Sequence, residues 1–217
     1  SMWVFLILSC FCFITGFKRI ALVAIPIGLL VVLLSRPMKD PGRKKYAVFA
    51  GVCILLFSIF YLFLVSTNLF TEAAAAFGID TKGRDVLYET AKEWYTISPV
   101  FFGQGLGFVS RRMYELKEAV VASLGAQGYA AGEIHNDILR NYIEVGFYGF
   151  PIWLYLMTVF RIRYFAKRSG GRAAVVTAVC ILYMFVTYLT DNTYYYNMPN
   201  LAAALVAMTY AYQEEGT

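Results

Sequence analysis

The chain's one histidine, His135, stands in the run Gly132-Glu133-Ile134-His135-Asn136-Asp137-Ile138-Leu139-Arg140-Asn141-Tyr142-Ile143-Glu144-Val145-Gly146, where a long polar excursion returns to an apolar stretch. Imidazole is the side chain whose ordinary pKa lies near neutrality, so at a membrane–water boundary it can accept or release a proton. Two arginines belong on the same side: Arg19, between two apolar arms, and Arg84, which follows Gly83 where a helix is expected to open. A guanidinium grips phosphate oxygens in bidentate fashion and stays charged at any physiological pH. One arginine at a membrane edge is ordinary snorkelling. Two with a histidine on one side point to a site for a phosphorylated lipid headgroup.

On a helix beginning near His135, the residues Asp137, Arg140, Asn141 and Glu144 share a polar stripe, and His135 is expected about 160° from its centre. Arg140 can then pair with Asp137 or Glu144, which gives the stripe a structural role. His135 is left to face a cavity beside the outer leaflet. Its position alone fits a functional histidine and a merely hydrogen-bonded one equally. The run Gly103-Gln104-Gly105-Leu106-Gly107 invites a phosphate-loop reading, but it is neither a Walker motif nor a dinucleotide fingerprint in a strand–helix unit, so a tight turn is expected.

Composition dictates the scaffold that must position these groups. With 59% hydrophobic, 18% aromatic and 15% charged residues, the chain carries too much apolar surface for a water-soluble domain. The expected fold is all-α, a polytopic transmembrane bundle of about six spans with an extracytoplasmic helical loop. Residues 1–66 supply three spans, 67–134 the outer loop, and 135–217 three more spans with a short outer loop at 191–200. Tyr46–Ser66 is the surest span. Met2–Leu34 taken as one helix would be about 50 Å long and would centre Lys18 and Arg19 in the bilayer, at about 3 kcal/mol per charge. A hairpin with Thr15-Gly16-Phe17-Lys18-Arg19 at its apex avoids that cost. Its arms are short, and Ser1-Met2 reads as an expression scar, so the first helix is expected to have lost its beginning; no signal-peptide pattern is evident. The remaining spans are Gly146–Phe160, Ala173–Thr190 and Met198–Tyr212.

The segments Ser35–Lys45 and Arg161–Arg172, expected as loops, hold ten of the nineteen basic residues. The positive-inside rule makes both cytoplasmic, together with both termini, and places Lys18-Arg19, the long 67–134 segment and 191–200 outside. The net charge of +5 therefore reports topology rather than a nucleic-acid surface, and clustered cytoplasmic charge also attracts anionic lipid headgroups. Cys10, Cys12, Cys53 and Cys180 lie within predicted spans, without metal-site spacing, and are expected as small buried residues. In the outer segment, Leu87, Ala91 and Trp94 put one apolar face on a helix over Arg84–Tyr95 that Pro99 stops; Met113, Leu116 and Val120 mark a second amphipathic helix.

The chain resembles the bacterial O-antigen polymerase and ligase superfamily of membrane glycosyltransferases. The residues that carry the resemblance are Thr15-Gly16-Phe17-Lys18-Arg19 before an apolar span, Gly83-Arg84, Gly103-Gln104-Gly105-Leu106-Gly107, and His135-Asn136-Asp137-Ile138-Leu139 continuing to Glu144-Val145-Gly146. The last is the most specific: a His-Asn pair, a leucine three residues on, and Glu-x-Gly entering the next span. The chain departs from the pattern at Lys18, where the family often has a small residue, and at Tyr88, where it often has tryptophan. Members usually have about twice as many spans, so this chain looks like the carboxyl-terminal half.

The resemblance implies transfer of a glycan from a polyprenyl-diphosphate carrier to an acceptor glycan at the outer face of the bacterial inner membrane, with no cofactor, nucleotide sugar or required metal. On that basis Arg19 and Arg84 stabilise the leaving diphosphate, His135 takes the acceptor hydroxyl's proton, and Lys18 and Asn136 make auxiliary contacts. Tyr194, Tyr195 and Tyr196 are placed to stack on sugar rings, although interfacial aromatics commonly just anchor spans. The implied partners are the lipid-linked glycan, the acceptor glycan, the bilayer and other polysaccharide-assembly proteins. A repeat-unit polymerase leads, with a ligase as the near alternative. From other classes, a transporter or channel and a non-catalytic assembly subunit stay open.

Overall fold

The computed structural model describes residues 19–78, 83–117 and 134–189, and among these it contains helices and no strand. The protein is a polytopic helical membrane protein. Helix α1 (Arg19–Ser35) is apolar beyond its first residue. It ends where the Ser35 hydroxyl bonds back to the Val32 carbonyl at 2.7 Å. A short turn follows, held by the Arg43 guanidinium, which donates to the carbonyls of Ser35 and Arg36 at 3.2 and 3.0 Å. Pro41 sits in the first turn of α2 (Asp40–Ser66), where a missing N–H costs nothing. At 27 residues α2 is about 40 Å long, more than the ~30 Å of hydrocarbon requires.

Among the described residues of the 67–134 segment are three short helices, α3 (Leu69–Ala76), α4 (Arg84–Ala91) with a 3-10 turn at Lys92–Trp94, and α5 (Phe108–Glu115). Helix α6 (Asp137–Tyr155) then runs through a π-helical stretch, Leu156–Phe160, into α7 (Arg161–Arg168), and after Ser169 the chain returns as α8 (Gly170–Tyr188). Among the described residues, three stretches are long and apolar enough to cross a membrane, Asp40–Ser66, Asp137–Arg168 and Gly170–Tyr188, with Val23–Ser35 a shorter apolar helix. Leu29, Leu33, Phe57, Phe60, Phe63 and Ile152 are exposed on these helices, as lipid-facing residues must be where the solvent is hydrocarbon.

Helix α8 packs along α2, α1 and α7. It is stapled to α2 at both ends: the Asp40 carboxylate accepts from the Gly171 N–H at 2.5 Å, and at the far end the Tyr61 hydroxyl donates to the Leu189 carbonyl at 2.5 Å. The second bond satisfies a carbonyl just past the last turn of α8, one that a helix end leaves without an intrahelical donor.

Several sequence expectations shift. Arg161–Arg172, expected as a loop, is helical through Arg168, because no Gly or Pro interrupts it before Ser169 and cations suit the negative end of the helix dipole. Arg43, Lys44 and Lys45 likewise lie in the opening turns of α2. The span expected from Gly146 begins nine residues earlier, at Asp137. Cys53 is exposed rather than buried, and Cys180 is half-buried. The first arm of the N-terminal hairpin, Cys10, Cys12, Val120 and the span Met198–Tyr212 lie outside the described residues.

Candidate functional site

The His-Asn pair does not begin the helix in the way its spacing suggested. Asn136 is the N-cap of α6: its side-chain oxygen accepts from the Leu139 N–H at 3.0 Å, satisfying one of the helix's orphan donors. His135 therefore precedes the helix, with φ 50°, a left-handed conformation unusual outside glycine. The 160° offset expected from helical geometry does not apply to it. Ile134, fully buried, and Asn136, also fully buried, pin the backbone on either side, while the His135 side chain is half-buried.

The other face of the Asn136 amide points at a second element. Its nitrogen donates to the Tyr61 hydroxyl at 3.3 Å, and Tyr61 in turn donates to Leu189, so one chain of hydrogen bonds joins the start of α6, the C-terminal half of α2 and the end of α8. Tyr88 of α4 completes the cluster. Its phenol is buried, and burial pushes its pKa up; the Asn136 amide, the Arg84 guanidinium and the Tyr61 hydroxyl lie close enough to pull it partly back. Arg84 acts electrostatically on Tyr61 as well. The arginine stands one helical turn before Tyr88, after Gly83 has turned the chain with φ 78° into α4.

The fold thus sets Arg84 within electrostatic reach of Tyr88 and Tyr61, while Asn136, next to His135, bonds Tyr61 directly; the buried Tyr88 hydroxyl has no hydrogen-bond partner among the described residues. Arg19 opens α1 at this same end of the bundle: Val23, one turn further in, and Leu189 line a common apolar cavity of about 420 Å³. Lys18, Tyr194, Tyr195 and Tyr196 lie outside the described residues. Tyr61 and Tyr88 were missed by sequence reasoning. The available signals were a phenol near the end of an otherwise apolar span, and the four-residue spacing of Tyr88 from Arg84.

The Gly-rich run is a backbone clasp. Helix α6 breaks at Gly146, where φ 76° and ψ −173° interrupt the ladder. The carbonyls of Ile143 and Glu144 then accept from the N–H groups of Gln104 and Gly105 at 2.9 and 3.0 Å, and the Phe147 N–H donates to the Phe101 carbonyl at 2.8 Å. With those amides engaged, the turn reading of Gly103–Gly107 fits and the phosphate-cradle reading does not. Gln104 also donates to the Trp94 carbonyl at 2.9 Å, and Tyr142 to the Thr96 carbonyl at 2.8 Å. Phe101 and Phe150 pack against the Tyr142 ring. Residues 94–105 are in this way locked to α6, and the expected buried face of Leu87, Ala91 and Trp94 is the one that packs inward.

The polar stripe is buried, and within it one of the two expected pairings is present: Arg140 Nε meets Glu144 Oε1 at 3.3 Å, with both side chains under 10% exposed. Nearer the edge, Asn68 and Lys92 bind Glu89, the lysine at 2.9 Å, and together hold its carboxyl below the usual range. Among the described residues no three His, Cys, Asp or Glu side chains gather as a metal site would need. Chemically, the cluster offers a fixed cation and amide and phenol groups held in register, beside an imidazole whose backbone is strained.

Comparison with known families gives one finding: a family model described as O-antigen ligase matches residues 4–154. Comparison with curated proteins and with solved structures gives no match.

Proposed function

The chain belongs to the O-antigen ligase family, and from that premise we propose that it polymerises the repeat units of a surface polysaccharide, moving a growing glycan from a polyprenyl-diphosphate carrier to an acceptor glycan. An acceptor hydroxyl attacks the anomeric carbon of the carrier-linked sugar; the new glycosidic C–O bond forms as the bond to the diphosphate breaks, and the polyprenyl diphosphate leaves with the electron pair. Negative charge grows on the diphosphate, where Arg84 and Arg19 stabilise it. The hydroxyl's proton passes to the imidazole of His135. Asn136, Lys18 and the tyrosines 194, 195 and 196 bind the donor and its sugars. The reaction runs at the outer face of the bacterial inner membrane, the side opposite to the basic segments around Lys39–Lys45 and Arg161–Arg172.

The observation that supports this reading is the Asn136–Tyr61 hydrogen bond within electrostatic reach of Arg84, with His135 held at φ 50° beside Asn136. Backbone strain of this kind costs on the order of 1–3 kcal/mol and persists where a side chain must be aimed. The second reading is a ligase that moves finished glycan to a different acceptor. It uses the same groups, and the family's description favours it.

The test uses cells that make the complete protein with R84A, H135A or R19A, scored for polymer length and membrane abundance. Polymerase function requires that single repeat units accumulate on the carrier at normal protein level. Long polymer left on the carrier would make the protein a ligase. Unchanged glycan in all three variants would remove the catalytic assignment and leave a transporter or a non-catalytic assembly subunit.

A further inference from the structure

We propose that the opposite end of the bundle holds a binding site for an anionic glycerophospholipid, seated between α2 and α7. A groove of about 760 Å³ opens there, and four cations line it: Lys44 and Lys45 from α2, Arg163 and Lys167 from α7. Its remaining walls are Val48, Phe49 and Ala166. On α2 the apolar pair lies one turn, about 6 Å, deeper along the helix than the lysine pair, on the same face. One turn deeper again the helices close on each other at Gly51, where a β-carbon would stand 2.7 Å from Ile162 Cδ1.

The charge in this groove is poorly balanced. Asp40 takes Lys44 at 2.9 Å and also receives the Gly171 N–H. Among the described residues, no acid pairs with Lys45, Arg163 or Lys167. These three are exposed at one mouth, so they repel one another until an anion enters. A phosphate diester suits them, because a guanidinium grips two of its oxygens and the ammonium groups add point charges. The apolar half decides between the two sources of phosphate. Phe49 is 63% exposed at the level where an acyl chain would start, and inorganic phosphate makes no use of that surface. A headgroup at the lysines with its chain along Val48 and Phe49 satisfies both halves, as basic pockets between membrane helices do for anionic lipids.

The experiment uses the full-length protein in neutral detergent, titrated with phosphatidylglycerol, with phosphatidylcholine or with inorganic phosphate, while Tm is followed. Phosphatidylglycerol should raise Tm saturably, as any ligand of the native state does, and the other two should not. K45Q/R163Q/K167Q should weaken the lipid's apparent affinity at least about tenfold. The control R36Q/K39Q/R161Q removes three cations of the same region from outside the groove and should leave it within about twofold. Equal Tm values for all three proteins without lipid would show that the variants fold; a K167Q single variant serves if the triple does not. Equal losses in the two triples would reduce the effect to diffuse surface charge, and protection by inorganic phosphate alone would make this a free-phosphate site. Either result overturns the proposal.

Discussion

Gly103 and Gly146 cross at the break in α6 with no room for a side chain on either. A β-carbon on Gly103 would stand 2.7 Å from the Gly146 nitrogen, and one on Gly146 would run into the backbone of Phe102 and Gly103. The Glu144-Val145-Gly146 run within α6 and the glycine-rich run are thus two halves of one joint.

Alanine at either position must displace backbone, with φ 90° and 76° adding to the cost. G103A and G146A should each lower stability by more than about 3 kcal/mol, as the loss of a clasp with three backbone hydrogen bonds implies. G105A meets open space despite its φ of 90°, so it should cost only about 1–2 kcal/mol. Thermal unfolding in detergent ranks the three.

Asn136 does two things at once, and they separate by substitution. N136A loses the N-cap and should cost about 1–2 kcal/mol. N136S keeps a capping oxygen but cannot reach Tyr61, so it should recover most of the stability and none of the glycan transfer. Parallel Tm and polymer-length measurements distinguish a positioning role from a purely structural one.

The buried pair Arg140–Glu144 should behave as buried pairs do. R140M strands a carboxylate only 5% exposed and should destabilise by about 3–5 kcal/mol. R140M/E144Q should regain most of the loss, which a denaturant titration of the three variants measures.

How much of this could be read from the chain varies with the distance over which the information acts. The helical membrane class followed from composition, and spacing narrowed Arg140's partner to Asp137 or Glu144, because both signals are local. The tight turn at Gly103–Gly107 was legible, but its purpose was not, since Gly146 lies some forty residues away and only the fold sets them face to face. His135 was placed on a helix that does not include it; the side chain that starts the helix is Asn136. Tyr61 and Tyr88 stayed hidden for a related reason: an aromatic near an apolar face reads as an anchor until a polar neighbour from another element is found beside it.

Tyr88 supplies a pH signature. Burial raises its pKa above the ordinary phenol value of about 10. A group with a raised folded pKa gives stability that is fully present below its unfolded pKa and is lost as pH rises through the folded one. Wild-type protein should therefore lose Tm above about pH 10 more steeply than Y88F. Identical alkaline slopes would mean that the phenol is not held in a desolvated cluster.

The most direct measurement is turnover by the complete protein in a defined bilayer, supplied with a polyprenyl-diphosphate-linked oligosaccharide, reading free polyprenyl diphosphate and glycan length together. Wild type should release one carrier per bond formed; R84A should slow this by about 10²–10³-fold and H135A by about 10²–10⁴-fold, each at unchanged Tm. Wild-type turnover from either folded variant would contradict a site built on the Arg84 guanidinium and the His135 imidazole.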